Sequence, residues 1–286
     1  MKANIKLSNN KNFPFYRVDV FTDKVFSGNP AGVCLINRTV ASGTLNAIAA
    51  EVNLSETAFI MLRNWESLTS STTFKLRWFT PKMEVPLCGH ATLAAATILF
   101  HELGIATPKI TFDTLSGPLF ASRSNDQTSI SLPAYDVSEI EPPLALMEAL
   151  GISEPLKVLY SQQAKVIVIH LADAEAVSNV WPDFGLLEAA ELETEISGVS
   201  ITASCSAPFD FVSRFFAPWL GINEDPVTGS AHSILAPYWS QLLNKNEMKA
   251  FQASRRGGIL DIRLTTKDRV DISGDAVIFF RGNIFI

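Results

Sequence analysis

Cysteine is scarce: Cys34, Cys88 and Cys205 are the only three in 286 residues, odd in number and far apart. That excludes a disulfide framework and suits a reducing compartment, so a cytoplasmic location is expected. Charge is scarce too. Asp, Glu, Lys and Arg make up 18% of the chain, 23 basic against 29 acidic, for a net charge of −6. With no dense basic run, neither nucleic acid nor an anionic membrane is expected as a partner. Long apolar runs are missing. The nearest, residues 91–103, falls short of the about eighteen residues that a membrane-spanning helix needs. Residues 1–12 are polar and lack the apolar core of a signal peptide. There is no glycine-rich dinucleotide fingerprint, P-loop, Gly-x-Ser-x-Gly, His-Glu-x-x-His or Cys-x-x-Cys. Nucleotide, serine-hydrolase and metal-centre readings therefore lack support, and no metal is expected.

What the chain does have is core-forming material. Apolar residues make up 47% of it, with 19 Phe, which excludes intrinsic disorder. Its length suits two domains. Tyr16, Val18 and Val20 alternate with polar residues, which predicts a half-buried strand over residues 16–21. Further strands are expected at 31–36, 58–61, 77–80 and 166–171. Leu45, Ile48, Ala49 and Val52 fall on one face of an amphipathic helix over 42–52. Residues 91–103 carry no charge before Glu102, which predicts a helix buried on all sides and stopped by Gly104. The middle is less marked: a short helix over 144–150, an exposed helix over 189–195, and a domain joint at Pro142-Pro143.

The chain echoes itself. Arg77-Trp78-Phe79-Thr80-Pro81 precedes Cys88-Gly89-His90-Ala91, and Arg214-Phe215-Phe216-Ala217-Pro218 precedes Thr228-Gly229-Ser230-Ala231. Downstream, Gly117 to Arg123 resembles Gly257 to Arg263, and Ile130/Leu132 match Val270/Ile272. The offset is 137 residues at first and 140 later, about half the chain. That period implies two domains of one fold, each a set of strands around an apolar helix.

In both copies a glycine-containing loop runs straight into the apolar helix. Helix starts carry unpaired N–H groups and the positive end of the dipole, so they take carboxylates readily. Two such domains packed face to face would aim both starts into one cleft. The ordinary alternative is capping, by Thr228 and Ser230, with a tight turn at Gly89. Glu56 is the best candidate general base, since its apolar neighbours Leu54, Ala58, Phe59 and Ile60 would desolvate it. A solvated turn or capping carboxylate is the alternative. Of four histidines, His90 and His232 sit in the echoed segments, whereas His101 and His170 look like helix and strand residues. Cys88 at a helix start suits either a thiol of lowered pKa or a small buried residue. Arg255-Arg256-Gly257-Gly258 reads as a solvated turn.

These segments resemble the phenazine-biosynthesis isomerase-like family, within the diaminopimelate epimerase fold. The resemblance rests on Asp19-Val20-Phe21, Gly28-Asn29-Pro30-Ala31, residues 53–59 around Ser55-Glu56-Thr57, Arg77-Trp78-Phe79-Thr80-Pro81, Cys88-Gly89-His90-Ala91-Thr92, and residues 224–231 around Asp225-Pro226 and Thr228-Gly229-Ser230, in family order. It implies an α+β fold of two pseudo-symmetric domains. Each is a curved mixed or antiparallel sheet wrapped around a central helix. Domains are expected at 1–134 and 135–272, with a C-terminal strand, about 273–286, assigned to the first and the active site in the cleft between them. The resemblance implies a homodimer and no organic cofactor. Glu56 takes the place of the proton-moving glutamate, and His90, Asp225 and Ser230 fall on family site residues. Gly89, Gly229 and Ser230 would hold a substrate carboxylate, with Cys88 beside them. Related racemases use two cysteines; Cys88 matches the first, but Pro226-Val227-Thr228 offers no second thiol.

The expected function is a cofactor-independent isomerase shifting a proton on a small amino or hydroxy carboxylate, with Glu56 as acid and base. The alternatives are a non-catalytic metabolite-sensing or protein-interaction protein on the same scaffold, and a racemase using Cys88.

Overall fold

The chain alternates short strands with two apolar helices, and its pairings repeat. In the computed structural model, which describes residues 12–62, 70–124 and 127–286, β1 (Asn12–Val20) is antiparallel to β2 (Asn29–Ile36). After α1 (Ser42–Val52), β2 is parallel to β3 (Thr57–Met61), and β3 is antiparallel to β4 (Thr73–Phe79). The short β5 (Glu84–Val85) is antiparallel to β4. Then comes α2 (Gly89–Thr97), and β6 (Lys109–Thr114) is parallel to β4. β7 (Gly117–Ser124) is antiparallel to β6, and β8 (Gln127–Pro133) is antiparallel to β7.

The second half follows the same course. After β9 (Ser138–Glu139) and α3 (Leu144–Leu150), β10 (Lys157–Ser161) is antiparallel to β11 (Val166–His170). Beyond the short α4 (Ala174–Ser178) and α5 (Phe184–Ala189), β12 (Gly198–Ser204) is parallel to β11 and antiparallel to β13 (Phe211–Ala217). β14 (Ile222–Glu224) is antiparallel to β13. After α6 (Gly229–Leu243), β15 (Glu247–Gln252) is parallel to β13 and antiparallel to β16 (Gly258–Thr266). β17 (Arg269–Gly274) and β18 (Ala276–Phe285) follow, and β18 is antiparallel to the full length of β1, from Asn12↔Phe285 to Val20↔Ala276. The chain accordingly divides into one unit of Met1–Leu132 with Ser273–Ile286 and another of Pro133–Ile272. The fold is α+β, with a mixed sheet and an enclosed helix in each unit. Residues 1–11 of the polar opening segment lie outside the described residues.

Both central helices are as apolar as their surroundings demand. Every residue of α2 is buried, and Ile98–Glu102 extends it as a π-helical turn that a 3.6-residue pattern does not foresee. Gly104, at φ +68°, follows it. In α6, Pro237 removes a helical N–H and leaves the carbonyl of Ser233 without its i+4 donor. The backbone N–H of Tyr135 takes that place at 3.0 Å.

The echoed arginines hold equivalent corners. Arg77 donates from Nε and Nη2 to the two oxygens of Glu84 at 2.7 and 2.6 Å, and Arg214 does the same to Glu224 at 2.7 and 3.2 Å. Each guanidinium also lies 5.0 Å from the ring of the phenylalanine two residues on, Phe79 or Phe216. The echo is thus a fold-stabilising device first.

Three expectations need correction. β1 is buried on both faces, with Asp19 as well as Tyr16, Val18 and Val20 inside, and it is a central strand, paired with β18 on one edge and β2 on the other. The helix expected over 189–195 lies earlier, at Phe184–Ala189. Asp183 accepts from the N–H groups of Gly185 and Leu186, and Ala190 is already extended. Pro142 and Pro143 lie inside the second unit, just before α3. Among the described residues, no helix is long and apolar enough to cross a membrane.

Arg214 is the more buried arginine and also donates to the carbonyls of Val177 and Val180 at 3.3 and 2.6 Å. Arg214→Ala should therefore destabilise by about 3–5 kcal/mol, and Arg77→Ala by no more than about half as much. Urea unfolding of the two variants checks the order; equal losses would contradict it.

Candidate active site

Glu56 is placed by the backbone around it. α1 ends in the left-handed conformation at Asn53 (φ 53°), whose N–H reaches the carbonyl of Ala49 at 3.0 Å. The chain then turns into β3, and the N–H of Gly32 donates to the carbonyl of Glu56 at 3.0 Å. Gly32 is needed for that approach: a Cβ there would lie 2.8 Å from Thr57 Oγ1 and 3.1 Å from the Phe15 ring. The Asp19 and Gly28 motif has a local task of its own. Asp19 Oδ2 accepts from the N–H of Phe26 at 3.0 Å, and Gly28, at φ +64°, would otherwise press a Cβ to 2.1 Å from the Val20 carbonyl.

The first unit brings Glu56, Cys88, Gly89 and His90 together. Glu56 Oε2 lies 3.2 Å from His90 Nε2, in ion-pair range but outside hydrogen-bond geometry. Cys88 Sγ is 3.5 Å from His90 Nδ1 and 4.0 Å from Nε2, and Ser55 Oγ is 3.4 Å from Nε2. Cys88 and His90 are only 7% and 6% exposed, and the Glu56 side chain 14%. Burial pushes the Glu56 carboxyl above the usual carboxylate range, against hydrogen bonds from Ser55 and Cys88 that lower it. Cys88 is the N-cap of α2, and its thiol makes no capping bond to the helix. Ligand atoms of Glu56, Cys88 and His90 lie within 4.8 Å of one another. No local metal spacing betrays this cluster, because the fold, not a motif, joins position 56 to positions 88 and 90.

The second unit brings Asp225, Gly229 and Ser230 to the start of α6. Thr228 is the N-cap and donates its hydroxyl to Asp225 Oδ2. Gln252, fully buried, accepts from the N–H of Thr228 at 2.7 Å and donates to the carbonyl of Asp225 at 2.8 Å. Ser254 donates to the carbonyl of Pro226 at 2.7 Å and accepts from the N–H of Gly257 at 3.1 Å, which ties the glycine turn to the same loop. Ser230 is exposed at the helix start. His232 is a core residue: its Nδ1–H donates to the Thr228 carbonyl at 2.8 Å, and burial pushes its pKa down to about 4. The equivalent residue of α2 is Thr92, whose hydroxyl donates to the carbonyl of Cys88.

Sequence reading passed over Ser55, Gln252 and Ser254 as site residues. It also passed over a consequence of the echo. Phe79 pairs with Thr57, and its counterpart Phe216 pairs with Val199. The counterpart of Glu56 is therefore Gly198, where a Cβ would lie 2.4 Å from the Phe215 ring. The second unit has no room for a carboxylate at that place. The signal was available in the register of the two strand pairs.

A family model described as phenazine biosynthesis-like protein, PhzC-PhzF, matches residues 18–282. The chain is 45% identical over 285 residues to phenazine biosynthesis-like domain-containing protein 1 of Mus musculus, covering 95% of this chain and 98% of that one. It is 43% identical over 271 residues to an uncharacterized isomerase of Pseudomonas aeruginosa, covering 95% and 98%. Among solved structures it is similar to a phenazine biosynthesis protein of the PhzF family from Enterococcus faecalis. That match has a TM-score of 0.87 and 38% identity, and it covers 96% of this chain and 100% of that one.

The raised Glu56 pKa has a definite sign. Below the ordinary carboxylate range, Glu56 is neutral whether the chain is folded or unfolded, and its burial has no ionisation cost. As pH rises through the ordinary value of 4.5, the unfolded chain ionises first and the folded state loses relative stability. Glu56→Gln should thus be at least as stable as the native chain at neutral pH, with the advantage fading in acid. Denaturant midpoints at both pH values check this; a variant weaker at neutral pH than in acid would contradict it.

Proposed function

The chain belongs to the phenazine biosynthesis-like, PhzC-PhzF, family, and on that footing we propose that it is an isomerase. It shifts a proton within a small amino or hydroxy carboxylate, needs no metal or organic cofactor, and uses Glu56 as both acid and base. Relatives from Pseudomonas aeruginosa and Halalkalibacterium halodurans carry the name uncharacterized isomerase, which supports the reaction class. The observation that carries the reading is the buried Glu56 carboxyl with raised pKa, 3.2 Å from His90 Nε2. Desolvation moves a carboxylate toward the pH at which it both removes and returns a proton effectively.

Ionised Glu56 takes the proton from a substrate carbon. The resulting acid delivers it to a second position on the same face. His90, with Nδ1 beside the Cys88 thiol at 3.5 Å, holds its Nε2 toward the glutamate and steadies both charge states. Electron density left on the substrate spreads into its carboxylate. That group is assigned to helix-start N–H groups, for which Gly89 at the start of α2 and Gly229 and Ser230 at the start of α6 are the candidates. Asp225, fixed by Thr228 and Gln252, is the remaining polar group of this set. Gly198 in place of a second carboxylate, and Thr228 as N-cap of α6 where Cys88 caps α2, both favour one base over two opposed ones.

Thermal-shift screening of small carboxylates against the native protein and Glu56→Gln should find ligands that stabilise both. With such a ligand as substrate, Glu56→Gln should lose about 10²–10⁴-fold in turnover. Cys88→Ser should retain proton exchange with deuterated solvent. Full activity in Glu56→Gln would overturn the assignment of Glu56, and exchange that depends on Cys88 would favour a thiol racemase.

A further inference from the structure

We propose that Glu56, Cys88 and His90 form a binding site for a soft divalent cation, Zn2+ being the best match, in competition with proton transfer. Binding uses only the geometry already described; its effect on turnover rests on the role proposed for Glu56, and the two are tested separately.

The donor set is one carboxylate oxygen, one sulfur and one imidazole nitrogen, the mixture that zinc takes in preference to magnesium or calcium. Tetrahedral zinc with bonds of about 2.3 Å to sulfur and about 2.1 Å to nitrogen and oxygen sets N and O about 3.4 Å apart and S and N about 3.6 Å apart. Glu56 Oε2 and His90 Nε2 stand 3.2 Å apart, and Cys88 Sγ and His90 Nε2 stand 4.0 Å apart. Those two pairs reach the tetrahedral spacing by side-chain shifts of a few tenths of an ångström, and all three ligand atoms already lie within 4.8 Å of one another. Cys88 and His90 are more than nine-tenths buried, and Glu56 Oε2 is buried with no directed hydrogen bond to give up.

Charge balances as well. On binding, the S–H bond of Cys88 breaks, its electron pair forms the sulfur–zinc bond, and the proton passes to solvent. Glu56 binds as the carboxylate, and His90 gives the Nε2 lone pair with its proton on Nδ1. Two anions then neutralise the dication, which removes most of the penalty for burying it. The thiolate sits at the N-cap of α2, where the helix dipole favours it. Water would supply the fourth ligand. The lone pair that Glu56 gives to the metal is the one its acid–base role requires.

Cobalt(II) is a visible stand-in for zinc. Titrated into the native protein, it should give a thiolate-to-cobalt charge-transfer band that saturates at one equivalent and is displaced by Zn2+. Cys88→Ser should lose the band, and Cys205→Ser should keep it. Glu56→Gln and His90→Asn should weaken binding about tenfold or more. No band in the native protein, or a band that survives Cys88→Ser, would overturn the site. If Cys88→Ser does not fold, alkylation of the native protein decides. Zn2+ should slow modification of Cys88 but not Cys205, and equal rates with and without Zn2+ would overturn the proposal. Zn2+ should also inhibit turnover, reversed by chelation. Full turnover with metal bound would overturn the competition while leaving the site.

Discussion

A helix with no polar face has to be enclosed, and most of this architecture follows from that. α2 has not one exposed residue, so a sheet must cover it. The pairing scheme that covers it needs parallel neighbours such as β4 and β6, with α2 in the connection between them, as well as hairpins, because a hairpin meander alone leaves too little connection length to carry a helix across. Once the sides of the helix are covered, only its ends can meet a ligand. The start of α2, where backbone N–H groups have no partner within the helix itself, is therefore the part of it available for chemistry.

Duplication separates what supports the fold from what differs between the copies. The arginine–glutamate pairs, the phenylalanine under each guanidinium and the side chain that bonds back to the N-cap carbonyl occur in both halves. The groups that differ are Glu56 against Gly198, Cys88 against Thr228, and His90 against Ser230. In the first unit these positions carry three titratable groups in mutual contact. In the second they carry a glycine and two hydroxyls, of which Thr228 is tied into a network with Asp225 and Gln252 and Ser230 is exposed. One scaffold thus occurs twice, and among the described residues the contacting Glu56, Cys88 and His90 cluster occurs only in the first copy.

Much of this was legible from residue order alone. The apolar run at 91–103, the amphipathic face of α1 and the echo of Arg77-Trp78-Phe79 in Arg214-Phe215-Phe216 each reflect local composition, which a linear reading sees directly. Sequence misled where a polar residue is buried for a local contact. β1 alternates as a half-buried strand does, yet it is a central strand between β2 and β18, and Asp19 is buried to hold the backbone of Phe26. It failed likewise over 189–195, where helix-forming residues lost to the cap at Asp183. At the candidate site, Glu56 was singled out by its apolar neighbours, whereas the contacts of Ser55 with His90 and of Gln252 with Thr228 and Asp225 join positions distant in sequence. Only register relates Glu56 to Gly198.

The return of β18 to β1 has a consequence for how the protein is made. The second unit, Pro133–Ile272, is one uninterrupted stretch, whereas the first needs its opening strand to find a partner from beyond that whole stretch. Closing so long a loop is slow compared with forming the local pairs of β10 to β16. During synthesis the interior of the message yields a finished unit while β1 still waits for its neighbour. The half that carries Glu56 is started first and completed last, and until then β1 presents unpaired backbone on which a chaperone or another nascent chain can act.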